Sequence, residues 1–177
     1  VILQGPTVEL PLQPAAESAK ETGAVLVHPF DHIDVITGQG TLGLELFEEH
    51  PDVDTVLVPI GGGGLIAGVA GAIKAKAAQA GRTVRVIGVQ AANSAAYPES
   101  LAAGHPSTVA TRPTIADGIA VARPGDVPFA MIRDLVDEVV TVSEDDIARA
   151  LLLLLERAKL VVEPAGAVGV AAILAGK

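Results

Sequence analysis

The apolar positions of this chain fall into short β-branched runs separated by longer stretches with helical spacing. The runs lie at 1–3, 24–27, 55–59, 84–89 and 138–142, and they are close to continuously apolar rather than alternating. That is the pattern of strands covered on both faces, as in a parallel sheet. Between them, 14–22 reads as an amphipathic helix closed by Gly23. A second helix is predicted over 42–50, with Leu42, Leu44, Leu46 and Phe47 inward and Glu45, Glu48 and Glu49 outward. An Ala-rich helix follows over 65–80, ended by Gly81. The strongest helical signal is 143–159, where Ser143 and Asp146 have capping-box spacing and the first turn is acidic. Its middle, 151–155, is leucine throughout and predicts a deeply buried helix. Pro164 suits the first turn of a last helix. Alternating strands and helices predict an α/β architecture, mostly parallel, with helices on both faces of the sheet. The stretch 105–128 holds four prolines and little periodicity, and reads as a long ordered loop of the kind that often carries function.

Composition narrows the picture. The chain has 177 residues, enough for one domain with a real core. Half are hydrophobic and 19% are charged, which excludes disorder. Phe30, Phe47, Tyr97 and Phe129 are the only aromatics, so Ala, Val, Leu and Ile must build the core. The absence of cysteine excludes disulfides and thiolate metal sites. A net charge of −9 argues against a nucleic-acid surface. No apolar run reaches the ~18 residues of a membrane span, and no signal peptide is visible. Val1 opens inside a predicted strand and Lys177 directly follows an apolar stretch, which reads as a piece cut at both ends.

Candidate chemistry centres on Gly61, Gly62, Gly63 and Gly64, between the run 55–59 and the helix that begins near Leu65. A strand–glycine–helix turn leaves free backbone N–H groups at the positive end of a helix, which is a phosphate cradle. The bland alternative is a tight turn with close helix–sheet packing. Four glycines in a row exceed what such a turn needs, since each costs chain entropy. A nucleoside-triphosphate loop would end in Gly-Lys-Ser or Gly-Lys-Thr, but Leu65 follows here. Gly62, Gly64 and Ala67 satisfy a dinucleotide spacing, but the next strand ends at Val89–Gln90 without an acid to hold a ribose. A compact single phosphate needs only the cradle.

Several segments together resemble fold-type II pyridoxal-phosphate enzymes of the tryptophan synthase β-like fold, specifically the threonine ammonia-lyases (threonine dehydratases) and the related serine racemases. They are His28-Pro29-Phe30-Asp31, Thr37-Gly38-Gln39-Gly40-Thr41, Val58-Pro59-Ile60 running into the four glycines, Thr114-Ile115-Ala116-Asp117-Gly118, and Val162-Glu163-Pro164-Ala165-Gly166. The resemblance implies pyridoxal 5′-phosphate as cofactor, and deamination of L-threonine to 2-oxobutanoate and ammonia. A serine/threonine dehydratase or serine racemase of broader specificity is the alternative within the family, and a non-catalytic phosphate-binding module the alternative outside it. The resemblance further implies a cytoplasmic homo-oligomer of amino-acid metabolism, isoleucine biosynthesis included, with a small amino-acid substrate. It assigns cofactor contacts to Gly61, Gly62, Gly63, Gly64, Leu65, Gly118 and Glu163. Residues 1–27 would end a smaller domain and 28–177 belong to the larger, cofactor-binding one. The family's cofactor-bonded lysine sits in a Ser-Phe-Lys motif that this chain lacks. None of Lys20, Lys74, Lys76, Lys159 and Lys177 matches it, so no catalytic residue is assigned and the chain alone is expected to be inactive.

Other residues carry weaker signals. Glu163 lies beside Val161–Val162, where a carboxylate is costly unless paired or neutral; it can line the cofactor ring, cap the next helix, or both. Asp117–Gly118 also reads as an Asp-Gly turn. Gln39 between Gly38 and Gly40 marks a break before the helix at 42, with a role near the active-site floor as second choice. His28, His32, His50 and His105 lack metal-ligand spacing. A cation site of serine-racemase-like members would fall on Gln90, Ser94 and Ala96, where both acidic ligands are missing, so no metal is expected.

Overall fold

The computed structural model describes residues 12–177. Three parallel strands, β1 (Thr55–Pro59), β2 (Arg85–Ala91) and β3 (Glu138–Val142), lie in the order β1-β2-β3. Thr55 pairs with Arg85 and Ile87 with Glu138, so consecutive strands join edge to edge. The helices are α1 (Leu12–Thr22), α2 (Ile33–Glu49), α3 (Gly64–Gln79), α4 (Ala96–Ala103), α5 (Asp126–Leu135), α6 (Glu144–Leu153) and α7 (Pro164–Leu174). The predicted strand 1–3 lies outside the described residues.

Strand periodicity divides the core in two. Val56, Val58, Val84 and Val86 point to one face and join Ile36, Ile66, Val69 and Ile73 of α2 and α3 with Phe129 and Ile132 of α5. Val89, Ala91 and Val142 point to the other and join Ile147, Ala150, Val168 and Ala171 of α6 and α7. Alternate side chains leave a strand on opposite faces, so continuous apolar runs bury both. The expected parallel sheet with helices on both faces is what forms.

Four expectations need correction. Residues 24–27 are extended but join no ladder, and Val25 and Val27 are 87% and 72% exposed. A strand needs a partner for its N–H and C=O groups, and no described strand stands beside this run. The second helix begins at Ile33, not at 42, and runs through Gly38 and Gly40. Leu42 and Leu44 are exposed rather than inward; Leu44 lies about 200° around the helix from both Leu42 and Leu46, so the three cannot share one face. The leucine run is not deeply buried either: Leu152, Leu153 and Leu155 are all exposed. One face of α6 meets α7 through Ile147 and Ala150, and no described element covers the other.

Gly40 and Gly43 of α2 and Gly68 of α3 are a packing device. A Cβ on Gly43 would lie 2.8 Å from the Val69 carbonyl oxygen, and one on Gly68 would strike the Ile36 carbonyl oxygen and sit 2.7 Å from the Gly40 nitrogen. The two helices therefore cross backbone to backbone. Each glycine costs up to about 1 kcal/mol of helix propensity, offset by this close approach. At the start of α6 the capping box forms as read: the Ser143 hydroxyl accepts from the Asp146 N–H at 3.2 Å, and the Asp146 carboxylate accepts from the Ser143 N–H at 3.1 Å. The helix then widens into a π-turn over Leu154–Ala158 and stops at Lys159, the one non-glycine residue with positive φ (59°) among those described. Pro164 opens α7 as expected.

Candidate cofactor-phosphate site

The last ladder bond of β1 runs from the Ile60 N–H to the Val89 carbonyl at 2.9 Å. Beyond it the chain turns through the four glycines and enters α3, with Gly63 in the left-handed region (φ 103°) as N-cap. Only glycine takes that conformation without strain. The first bond across this junction is Ala67 N–H to the Gly63 carbonyl at 3.0 Å. Among the described residues, no turn, loop or cap bond uses the N–H groups of Gly61, Gly62, Gly63, Gly64 or Leu65.

Packing explains the glycines themselves better than the sequence suggested. A Cβ on Gly61 would lie 3.1 Å from Ile119 Cα, one on Gly62 would enter the Phe30 ring, one on Gly63 would strike the Tyr97 hydroxyl, and one on Gly64 would lie 2.9 Å from the Phe30 carbonyl oxygen. Each glycine thus has its own steric reason, and glycine count alone does not argue for an anion. What favours an anion is the set of unengaged N–H groups at the helix's positive end.

The loop floors a cleft of about 590 Å³, within the range that suits a small cofactor. All seven residues expected at a cofactor, Gly61, Gly62, Gly63, Gly64, Leu65, Gly118 and Glu163, line this one cleft. Gln39 lines it too, so its second-choice placement near the floor describes its position, while the helix continues unbroken through it. Gly118 belongs to a 3₁₀ turn, Asp117–Ile119, closed by the Ala120 N–H to the Asp117 carbonyl at 3.1 Å. A Cβ on Gly118 would stand 3.2 Å from Glu163 Oε1, so the bare backbone makes room for the carboxylate. Glu163 is the N-cap of α7 by position but makes no side-chain capping bond. It is exposed rather than buried, so the desolvation cost expected from its apolar neighbours does not arise. No lysine or arginine lines the cleft, and Glu163 is its one ionisable lining residue among those described.

Contacts that the sequence did not signal hold the wall in place. His28 Nδ1 accepts from the Asp31 N–H at 2.8 Å and shapes the turn that seats Phe30 over Gly62. The Asp31 carboxylate accepts from the N–H groups of Asp126 and Val127 at 3.0 and 2.9 Å, capping α5 from across the chain. Buried Gln90 and Tyr97 lie beneath the loop. The Gln90 side chain donates to the Ile60 carbonyl at 3.4 Å and accepts from the Tyr97 N–H at 3.0 Å. Ser94 Oγ donates to the Val121 carbonyl at 3.4 Å. The polar groups of Gln90 and Ser94 are thus committed to the chain's own backbone. Burial, then the Asp31 charge, pushes the Tyr97 phenol up, so it stays a protonated donor.

A glycine turn running into a helix N-terminus at the carboxyl end of a parallel strand is an arrangement that phosphate-binding α/β proteins share. The chain belongs to the pyridoxal-phosphate dependent enzyme family, whose model matches residues 1–177. It is 51% identical over 174 residues to an L-threonine ammonia-lyase of Thermotoga maritima, covering 98% of this chain and 42% of that protein. The solved structure of a T.th. threonine deaminase superposes with a TM-score of 0.90 at 39% identity, over 99% of this chain and 57% of that one. Maize serine racemase superposes at 0.89 and 40% identity, over 98% and 51%. The chain spans about half the length of these relatives.

Proposed function

We propose that this chain is the cofactor-phosphate-binding part of a lyase that deaminates L-threonine to 2-oxobutanoate and ammonia. The observation that carries the reading is the set of unengaged N–H groups of Gly61 to Leu65 in a cleft without cationic side chains. The residues present fit pyridoxal phosphate. The glycine loop would hold the phosphate, Phe30 would shield it from water, and the Gly118 backbone with the Glu163 carboxylate would line the ring. When bound, the cofactor supplies a conjugated ring that takes up the electron pair released at the substrate α-carbon. Identity to a threonine ammonia-lyase favours threonine. The similarity to maize serine racemase keeps a serine dehydratase or racemase as second reading.

None of Lys20, Lys74, Lys76, Lys159 and Lys177 lines the cleft, which supports the expectation that the 177 residues alone do not turn over threonine. The exposure of Val25 and Val27 supports a division in which 1–27 close a smaller domain and 28–177 belong to the larger one. Exposed Leu152, Leu155 and Val161 support association into a homo-oligomer. Among the described residues no helix is long and apolar enough to cross a membrane.

Two measurements test the reading. Calorimetric titration of the chain with pyridoxal 5′-phosphate and with pyridoxal should show preference for the phosphorylated form. Equal affinities would refute the cradle. In the complete enzyme, 2-oxobutanoate should form from L-threonine faster than pyruvate from L-serine; D-serine as the main product would favour the racemase reading instead.

A further inference from the structure

The N–H groups of a glycine loop make an anion site only if its peptides face the right way. Glycine peptides turn over easily, and a turned peptide would present a carbonyl oxygen to the anion. In a planar trans peptide the C=O and N–H point in opposite directions. Fixing the carbonyl on the far side of the loop therefore fixes the N–H toward the cleft.

Two donors fix the Gly62 carbonyl. The Tyr97 hydroxyl reaches it at 3.1 Å and the Gly125 N–H at 3.0 Å. The same arrangement recurs earlier in the loop, where Gln90 Nε2 donates to the Ile60 carbonyl and so orients the Gly61 N–H. Gln90 Oε1 in turn accepts from the Tyr97 N–H, linking the two anchors. Tyr97 is fully buried and its ring packs on Phe129 with centroids 6.3 Å apart, so the hydroxyl has no freedom to leave.

We propose that Tyr97, supported by Gln90, is a positioning residue for the phosphate cradle, holding the Gly62–Gly63 peptide with its N–H turned to the ligand. The proposal rests on the reading of the cleft as a phosphate site. Tyr97 does not line the cleft; it acts through the peptide. Removing its hydroxyl leaves the Gly62 carbonyl the Gly125 donor, so the chain keeps its fold while the peptide loses one of its two anchors.

The test compares Tyr97→Phe with the unaltered chain, titrated separately with pyridoxal 5′-phosphate and pyridoxal. Losing one anchoring hydrogen bond should weaken binding of the phosphorylated ligand about five- to tenfold and leave pyridoxal unchanged. If the variant keeps the full preference for the phosphate, Tyr97 has no positioning role and the site reading stands. If the unaltered chain shows no preference, the site reading fails and the proposal with it. A uniform loss for both ligands would also overturn it, by showing general damage to the cleft. A second readout is independent of affinity: with glycine-selective ¹⁵N labelling, the Gly63 amide resonance should shift on saturation with pyridoxal 5′-phosphate and shift less in Tyr97→Phe. Equal shifts in both proteins would overturn the assignment.

Discussion

Replacing Gly68 by alanine isolates what the crossing of α2 and α3 contributes. On an exposed helix, Gly→Ala gains up to about 1 kcal/mol of propensity. At Gly68 the new methyl would strike the Ile36 carbonyl oxygen and lie 2.7 Å from the Gly40 nitrogen, both backbone atoms of α2. Backbone cannot swing aside, so the helices must part. Overpacking of this kind costs roughly 1–3 kcal/mol, and here it also loosens Ile36, Val69 and Ile73. Set against the full propensity gain, this leaves a net loss of up to about 2 kcal/mol. For a chain this long that lowers Tm by up to about 8 °C. Gly38 is the internal control. It lies in the same helix pair with ordinary φ and nothing within 4 Å of a built Cβ, so Gly38→Ala should raise stability by about 0.5–1 kcal/mol. Urea denaturation followed by circular dichroism measures both. A Gly68→Ala protein as stable as Gly38→Ala would refute the backbone-contact account.

Three further outcomes are expected. Ser143→Ala removes one half of the capping box and should cost about 1 kcal/mol in urea unfolding. Lys159→Gly relieves a left-handed residue at φ 59° and should stabilise by about 1 kcal/mol in the same assay, despite losing the Lys159 Nζ bond to the Glu156 carbonyl. For Asp137, burial pushes the carboxyl up, but the Lys74 and Val86 hydrogen bonds and the Lys74 and Arg85 charges outweigh it and hold it below the usual range. Its contribution is therefore complete above the unfolded carboxylate range near pH ~3.9 and is lost as pH falls through the lower folded value. Asp137→Asn should flatten the acid limb of the stability–pH curve below about pH 4 and leave its shape near neutrality unchanged.

The elements that announce themselves in the sequence are those specified locally. The run 55–59, the glycines and the Ala-rich helix after them combine strand propensity, turn chemistry and helix propensity within a short stretch of chain, and all three form in place. The capping box of α6 is equally local. The first half of α2 is obscured because Gly38 and Gly40 look like breakers, while Gly40 meets Gly68 of α3, far along the chain. Residues 24–27 have strand composition without a described neighbour, and composition cannot supply one. Of the cleft, seven of the lining residues are legible from the glycine turn and the family motifs. The parts that Phe30, Asp31, Gln90 and Tyr97 play in holding the cleft's wall are not, because they consist of contacts to distant backbone, such as Tyr97 to Gly62 at a separation of 35 residues, and no local pattern encodes these.

A cradle built from peptide N–H groups has no side chain for a mutation to delete. Every substitution at Gly61, Gly62, Gly63 or Gly64 adds atoms, and each has a neighbour within 3.1 Å of where the first would go. Damage to this site is therefore one-directional: bulk is the lesion, whatever its chemistry. A saturation-mutagenesis profile across the loop should be almost flat in its intolerance, with serine, aspartate and valine failing alike. Leu65, whose partly buried side chain packs against the core, should accept other apolar residues. Such a site can persist through wide divergence of its surroundings, since its selection acts against added volume and not for any particular functional group.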